Sequence, residues 1–205
     1  MSRAFALVLP LVATTAWADE PPTPPPPPTF ATRIDGVAGR GMSGVASINL
    51  VAGRGNAQAN LAAIAQGGFN AAHVAGAQAT AVAAGDAARG AVARITDAAL
   101  GGGRGVLAVN QAAGAANAQL NVLAIGGDEG GAHLIQNVDV TALAAVASGV
   151  PLEPDAVPVL PPTREARIDG SAFARPQGVL QINQTAGVGN ASANAIVLQL
   201  PGGTP

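Results

Sequence analysis

There is no cysteine, no tyrosine and no lysine among these 205 residues, and charged residues make up only 11%. Each absence closes off a class of protein. Without thiols there can be no disulfide framework, no thiol catalysis and no cysteine metal site. The aromatics are Trp17 and four Phe (Phe5, Phe30, Phe69 and Phe173), too few for a conventional aromatic core. Every basic residue is Arg and the formal net charge is −2, so there is no electrostatic footprint for nucleic acid. His73 and His133 sit in dissimilar Gly/Ala-rich surroundings and give no metal-ligand pattern. The acids Asp86, Asp128, Glu129, Asp139, Glu153 and Asp155 are scattered and read as solvated, so no pair suggests general acid and base. Gly101-Gly102-Gly103-Arg104-Gly105 lacks the Lys-Ser/Thr of a phosphate loop. No catalytic, cofactor-binding or metal-binding residue is expected, and an enzyme is disfavoured.

The chain is nonetheless 49% hydrophobic, which is not the composition of a disordered polymer. Residues 1–18 read as a secretory signal peptide: Arg3, an apolar stretch from Ala4 to Thr15, then Ala16-Trp17-Ala18 as the cleavage site. No other apolar run reaches spanning length without Gly or a polar break, so stable membrane insertion is not expected. A proline-rich spacer, 19–32, should be an extended polyproline II tether.

Three asparagines then recur at one spacing, three times: Asn49-Asn56-Asn60, Asn110-Asn117-Asn121 and Asn183-Asn190-Asn194. Each triplet has a Gly five residues before its first Asn (Gly44, Gly105, Gly178) and another four after it (Gly53, Gly114, Gly187). An Arg-Ile pair stands sixteen before it: Arg33-Ile34, Arg94-Ile95 and Arg167-Ile168. A gapless self-similarity of this kind defines the architecture before anything else does. The repeats run 33–65, 94–126 and 167–200, with linkers 66–93 and 127–166 between them and a short tail, 201–205. The first linker could be a broken helix or further weak strands. In the second, residues 132–147 look like one more strand pair, followed by a proline-rich stretch.

The Asn spacing alone fits one stripe of a helix, and alanine favours helix. Gly53 and Gly55, or Gly187 and Gly189, would then sit mid-helix at about 1 kcal/mol each. Strands explain those glycines as a turn. Before it, Val45, Ser47, Asn49 and Val51 share one face; after it, so do Asn56, Gln58 and Asn60, as do Asn117, Gln119 and Asn121 in the second unit and Asn190, Ser192 and Asn194 in the third. The expected fold is therefore an all-β repeat, in which three strand-turn-strand units stack as a β-solenoid or cross-β layer with irregular or partly helical linkers. In register, the side-chain amides would form hydrogen-bonded ladders, a self-assembly device comprising Asn49, Asn56, Gln58, Asn60, Asn110, Asn117, Gln119, Asn121, Asn183, Asn190 and Asn194. A local turn bond would account for Asn56, Asn117 and Asn190, but not for the mid-strand Asn49, Asn110 and Asn183. The stacked Arg residues would need compensation from Asp35, Asp97 and Asp169. Neither terminal repeat looks like a polar cap, so both edges should template further chains.

The Gly-Val-x-x-Ile-Asn-x-x-Ala-Gly-x-Gly-Asn-x-Gln-x-Asn pattern of Gly44–Asn60, and the Val-Asn-Gln-Ala-Ala-Gly-Ala-Ala-Asn-Ala-Gln-Leu-Asn of Val109–Asn121, resemble the repeat of the Fap functional amyloids of bacterial biofilms. The order of signal peptide, three repeats and two unequal linkers is also similar. The resemblance covers the three units. It implies an exported, self-assembling fibre subunit, major or nucleating, whose repeats build the fibril core. It implies as partners further copies of itself, related fibre subunits and an outer-membrane export pore, and an extracellular or cell-surface location. A soluble secreted β-solenoid binding module or surface adhesin is the alternative. Regular Thr arrays would favour it, and Thr is sparse in the units.

Overall fold

The computed structural model describes residues 29–65, 72–83, 86, 89–127, 132–139 and 162–200. The signal peptide, most of the proline-rich spacer, residues 140–147 and the tail lie outside them. The described residues form eleven strands. The first four are β1 (Thr29–Ile34), β2 (Ser43–Ala52), β3 (Ala57–Ile64) and β4 (Ala72–Ala79). The next four are β5 (Gly90–Ile95), β6 (Arg104–Ala115), β7 (Ala118–Gly127) and β8 (Ala132–Asp139). The last three are β9 (Arg164–Ile168), β10 (Gln177–Val188) and β11 (Ala191–Leu200).

Every sheet is parallel, and each strand pairs with its counterpart in another repeat. The orders are β1-β5-β9, β2-β6-β10, β3-β7-β11 and β4-β8. The register places like beside like: Asn49, Asn110 and Asn183 share one row, and Asn60, Asn121 and Asn194 share another. The chain thus lies in three tiers, with β5–β8 between β1–β4 below and β9–β11 above. Within a tier the two strands flanking the glycine turn belong to different sheets, so the turn makes an arch rather than a hairpin, and β2 meets β3 through side chains.

One departure from expectation concerns the flanks. The Arg-Ile pairs are the C-terminal ends of strands (β1, β5, β9) that begin at Thr29, Gly90 and Arg164, reaching back into segments read from sequence as spacer and linker. Of the two readings of the first linker, broken helix or weak strands, its residues 72–79 take the strand, β4, which pairs with β8, inside the segment expected to hold a strand pair, so that His73 aligns with His133. β-Branched Val74 and the alternating exposure of β4 fit a half-buried strand. Gly76 lets it approach closely, since a Cβ there would lie 2.7 Å from Leu61 Cδ1.

The layers have different fillings. Between the β1-β5-β9 and β2-β6-β10 sheets lies an apolar cluster of Ile34, Ile95, Ala99, Leu100, Leu107, Val109, Ala172 and Phe173, joined by Ile48, Leu50 and Ile182. Ala99, Leu100, Ala172 and Phe173 come from the connections before β6 and β10, which themselves stack: Leu100 N donates to Ala38 O at 2.8 Å and Phe173 N to Ala99 O at 3.0 Å. Burial follows tier order. β6 and β7 are buried on both faces, as central parallel strands are, whereas β2 and β11 alternate between half-buried and exposed.

Candidate self-assembly site

The filling between the β2-β6-β10 and β3-β7-β11 sheets is amide. Asn49 and Asn60 reach across their arch toward one another, and Asn60 Nδ2 donates to Asn49 Oδ1 at 2.9 Å. Asn110 Nδ2 then donates down to both Asn49 Oδ1 and Asn60 Oδ1, each at 3.0 Å. Asn121 Nδ2 donates to Asn60 at 2.8 Å and to Asn110 at 3.0 Å. The pattern repeats above: Asn183 donates to Asn110 and Asn121, and Asn194 to Asn121 and Asn183, at 2.9–3.0 Å. The result is one zigzag, 49–60–110–121–183–194, climbing the three tiers.

Backbone carbonyls complete the coordination. Asn110 Nδ2 also donates to Ala59 O at 2.8 Å, and Asn121 Nδ2 to Val109 O at 3.1 Å. Asn110 and Asn121 have no solvent exposure. A buried amide without partners would cost about 1–3 kcal/mol, and this arrangement satisfies each one only because its neighbours occupy the same row.

A second row runs along the arch tips. Asn117 donates from both N and Nδ2 to Asn56 Oδ1, at 2.9 and 2.8 Å. Asn190 Nδ2 donates to Asn117 Oδ1 at 2.7 Å. Asn56 Nδ2 reaches Gly114 O at 2.9 Å. These residues therefore serve both the turn and the stack. Gln58 Nε2 donates to Gln119 Oε1 at 2.6 Å, and Gln119 Nε2 continues to Thr185 Oγ1 at 3.1 Å.

The repeat glycines set how closely the tiers approach. Gly53, Gly114 and Gly187 close the C-terminal ends of β2, β6 and β10 with positive φ. A Cβ on Gly53 would lie 1.8 Å from Gly114 O, and one on Gly114 1.8 Å from Gly187 O. At the strand starts, a Cβ on Gly105 would meet Gly44 O at 2.3 Å and one on Gly178 would meet Gly105 O at 2.1 Å. No side chain fits at Gly53, Gly105, Gly114 or Gly178.

Several partners were not foreseen. Gln111 and Gln184 form a row beside the apolar cluster, Gln184 Nε2 donating to Gln111 Oε1 at 2.9 Å, and both also reach backbone carbonyls of β5. Their signal was present: each directly follows the first Asn of its triplet. The Arg row is compensated differently from expectation. Arg33 pairs with Asp35 at 2.7 Å and Arg167 with Asp169 at 2.6 Å, but Arg94 reaches up to Glu165 at 2.6 Å. Asp97 lies 3.9 Å from Arg33 and accepts from Gly36 N. Its one-residue offset carries it toward the tier below. The Arg94 hydrogen bond holds the Glu165 carboxyl below its ordinary range, and Glu165 in turn raises Arg94.

Asp86 corrects a second expectation. It is not solvated but 2% exposed, accepting from Arg54 Nε at 2.8 Å and from Ala83 N at 3.0 Å. Arg54 lies in the first arch, and Thr80 Oγ1 donates to Ala116 O of the second at 2.9 Å. Residues 80–83 and Asp86 thus lie along the arch tips as a strap. Among the described residues no group of three or more His, Asp or Glu could hold a metal ion, and no helix is long and apolar enough to cross a membrane.

A family model described as the functional amyloid protein FapB/FapC family matches residues 18–201. No solved structure matches the chain. The chain belongs to the functional amyloid protein FapB/FapC family.

Proposed function

We propose that this functional amyloid protein is exported through the periplasm and an outer-membrane pore, and serves as a structural subunit, major or nucleating, of an extracellular fibre in the biofilm matrix. In this reading the three tiers are a short β-solenoid, which extends as a cross-β layer when further copies, or related subunits, add to its open edges. The ladder residues Asn49 to Asn194 act as the assembly device and the repeat glycines as its spacers. No step of bond chemistry is involved.

The observation that supports this most is the amide zigzag. Its central members are fully satisfied because a tier lies on either side, whereas the outer tiers lack one neighbour each. An uncovered parallel edge with its side-chain ladder intact templates another identical strand. Purified protein lacking residues 1–18, incubated at high concentration, is expected to form fibres diffracting at roughly 4.7 and 10 Å. A monomer that persists for days with no cross-β reflection would overturn the reading.

A further inference from the structure

Resting on that reading, we infer that copies join head to tail, the third tier of one copy seating on the first tier of the next, because the two ends of the stack are chemically complementary to each other and not to themselves. In the Asn rows every amide-to-amide bond between tiers runs one way, the upper Nδ2 donating and the lower Oδ1 accepting, while Asn56 and Asn117 Nδ2 also reach up to the backbone carbonyls of Gly114 and Gly187. The Gln58–Gln119 bond runs oppositely, so the direction is carried by the Asn rows.

At the upper end, Asn190 Oδ1 and Asn194 Oδ1 accept no hydrogen bond among the described residues, although the corresponding Asn117 and Asn121 oxygens each accept two. At the lower end, Asn49 Nδ2 donates to nothing among the described residues, although Asn110 Nδ2 shares its two hydrogens among three oxygens. Seating the next copy's Asn49 above Asn183 and Asn194 continues the zigzag without a break. Two third tiers brought together would set acceptor against acceptor.

Two glycine columns give the same answer sterically. The close approach at Gly53 and Gly114 does not recur at Gly187, where the nearest atoms a Cβ would meet are side-chain atoms of Asn190 and Arg164, at 3.3 Å or more. At Gly105 and Gly178 the approach is to the tier below, and at Gly44 nothing lies within 4 Å. One column is open at the top and the other at the bottom. Only head-to-tail stacking closes both, placing the next copy's Gly53 carbonyl over Gly187 and its Gly44 over the Gly178 carbonyl. Ser192 Oγ, buried and without a partner, then lies beneath the incoming Gln58, whose row it shares through Gln119. A joint between different surfaces of identical copies does not close on itself and generates an open filament.

The absence of native cysteine allows a direct test. Val45 and Val179 occupy one row, two tiers apart, which is about 10 Å within a copy and about 5 Å across the joint. Copies carrying only Val45→Cys are mixed with isotopically labelled copies carrying only Val179→Cys, assembled under reduction, and treated with a short bis-maleimide. Linked pairs containing one of each variant are expected in mixed fibres, with linking lost in fibres of either variant alone. Like pairs, or no mixed pairs in fibres that give the cross-β pattern, overturn the joint while leaving the fibre reading intact; absence of fibres from unmodified protein removes the fibre reading itself. Should these variants fail to assemble, Ile64→Cys and Leu198→Cys, exposed and sharing a row in the other central sheet, decide the same question.

Discussion

Asn110 Nδ2 shares its two hydrogens among three oxygens and is fully buried, whereas Asn49, in the same row, is exposed and accepts. The same substitution should therefore have unequal consequences. Asn110→Asp turns a carboxylate toward three oxygens with no cation near, an uncompensated buried charge worth about 3–5 kcal/mol. In the free molecule Asn49→Asp keeps its accepting role and a hydrated carboxylate, and only at the joint would it lose the amide that donates toward Asn183 and Asn194. Thermal unfolding of the unassembled chain should be lowered by the first and little changed by the second, while both impair assembly followed by light scattering. Equal effects on unfolding would mean that the rows are not built as described. The value of an asparagine here lies less in its chemistry than in which tier holds it.

Charge pairs at this scale give a pH dependence. Arg94 holds the Glu165 carboxyl below its ordinary value, so the pair stabilises contact between the second and third tiers above the unfolded glutamate range, near about 4.3. That contribution is lost as pH falls through the depressed native value. Both partners are substantially exposed, so the effect is small and salt-screened. At low ionic strength the acid-denaturation midpoint of Glu165→Gln fibres should lie at slightly higher pH than that of wild type, because the variant lacks the pair's contribution that wild type keeps until Glu165 is protonated. An unchanged acid midpoint would show that the pair contributes nothing measurable.

At the scale of elements, the strap and the arches depend on one another. Removing Arg54 leaves Asp86 buried without its cation, the more damaging way to break such a pair, at about 3–5 kcal/mol. Arg54→Ala should release residues 80–83 and Asp86 from the arch tips and open cleavage there to proteases. The double variant Arg54→Ala/Asp86→Ala should regain part of the lost stability, because it strands no charge. Cleavage mapped by mass spectrometry distinguishes the two cases, and equal protection in both would show that the strap is held by other contacts.

The same elements show what could be read from sequence. The central strands were legible because alternation and glycine turns recur at fixed spacing, so Asn49, Asn110 and Asn183 fell into one row before any coordinates. β1, β5 and β9 were not. Only Arg-Ile is common to them, and Thr29-Phe30-Ala31, Gly90-Ala91-Val92 and the Arg164-Glu165-Ala166 segment share no pattern beyond being able to extend. β8 lies within the strand pair expected over 132–147 and β4 within a linker for which weak strands were one reading, but their pairing was not legible: His73 and His133 align although their neighbours differ. Asp86 and Glu165 were hidden because their partners are distant in sequence, and a scattered acid looks the same whether solvated or paired.

For the whole molecule, the tiers share their backbone layers and differ in the side chains that fill one row. Leu50, Gln111 and Gln184 occupy that row, so two tiers carry linked amides and the first carries an aliphatic chain. Head-to-tail growth therefore makes a filament whose smallest true period is the molecule rather than the strand: two amides and then a leucine, over and over, like a ruler with every third mark missing. Three strand spacings come to about 14 Å. A well-aligned specimen should show a weak meridional reflection there, absent from fibres in which every layer is equivalent. Leu50→Gln should weaken it while leaving the strand-spacing reflection in place. Copy number is thus written into the filament, one interruption for each molecule added.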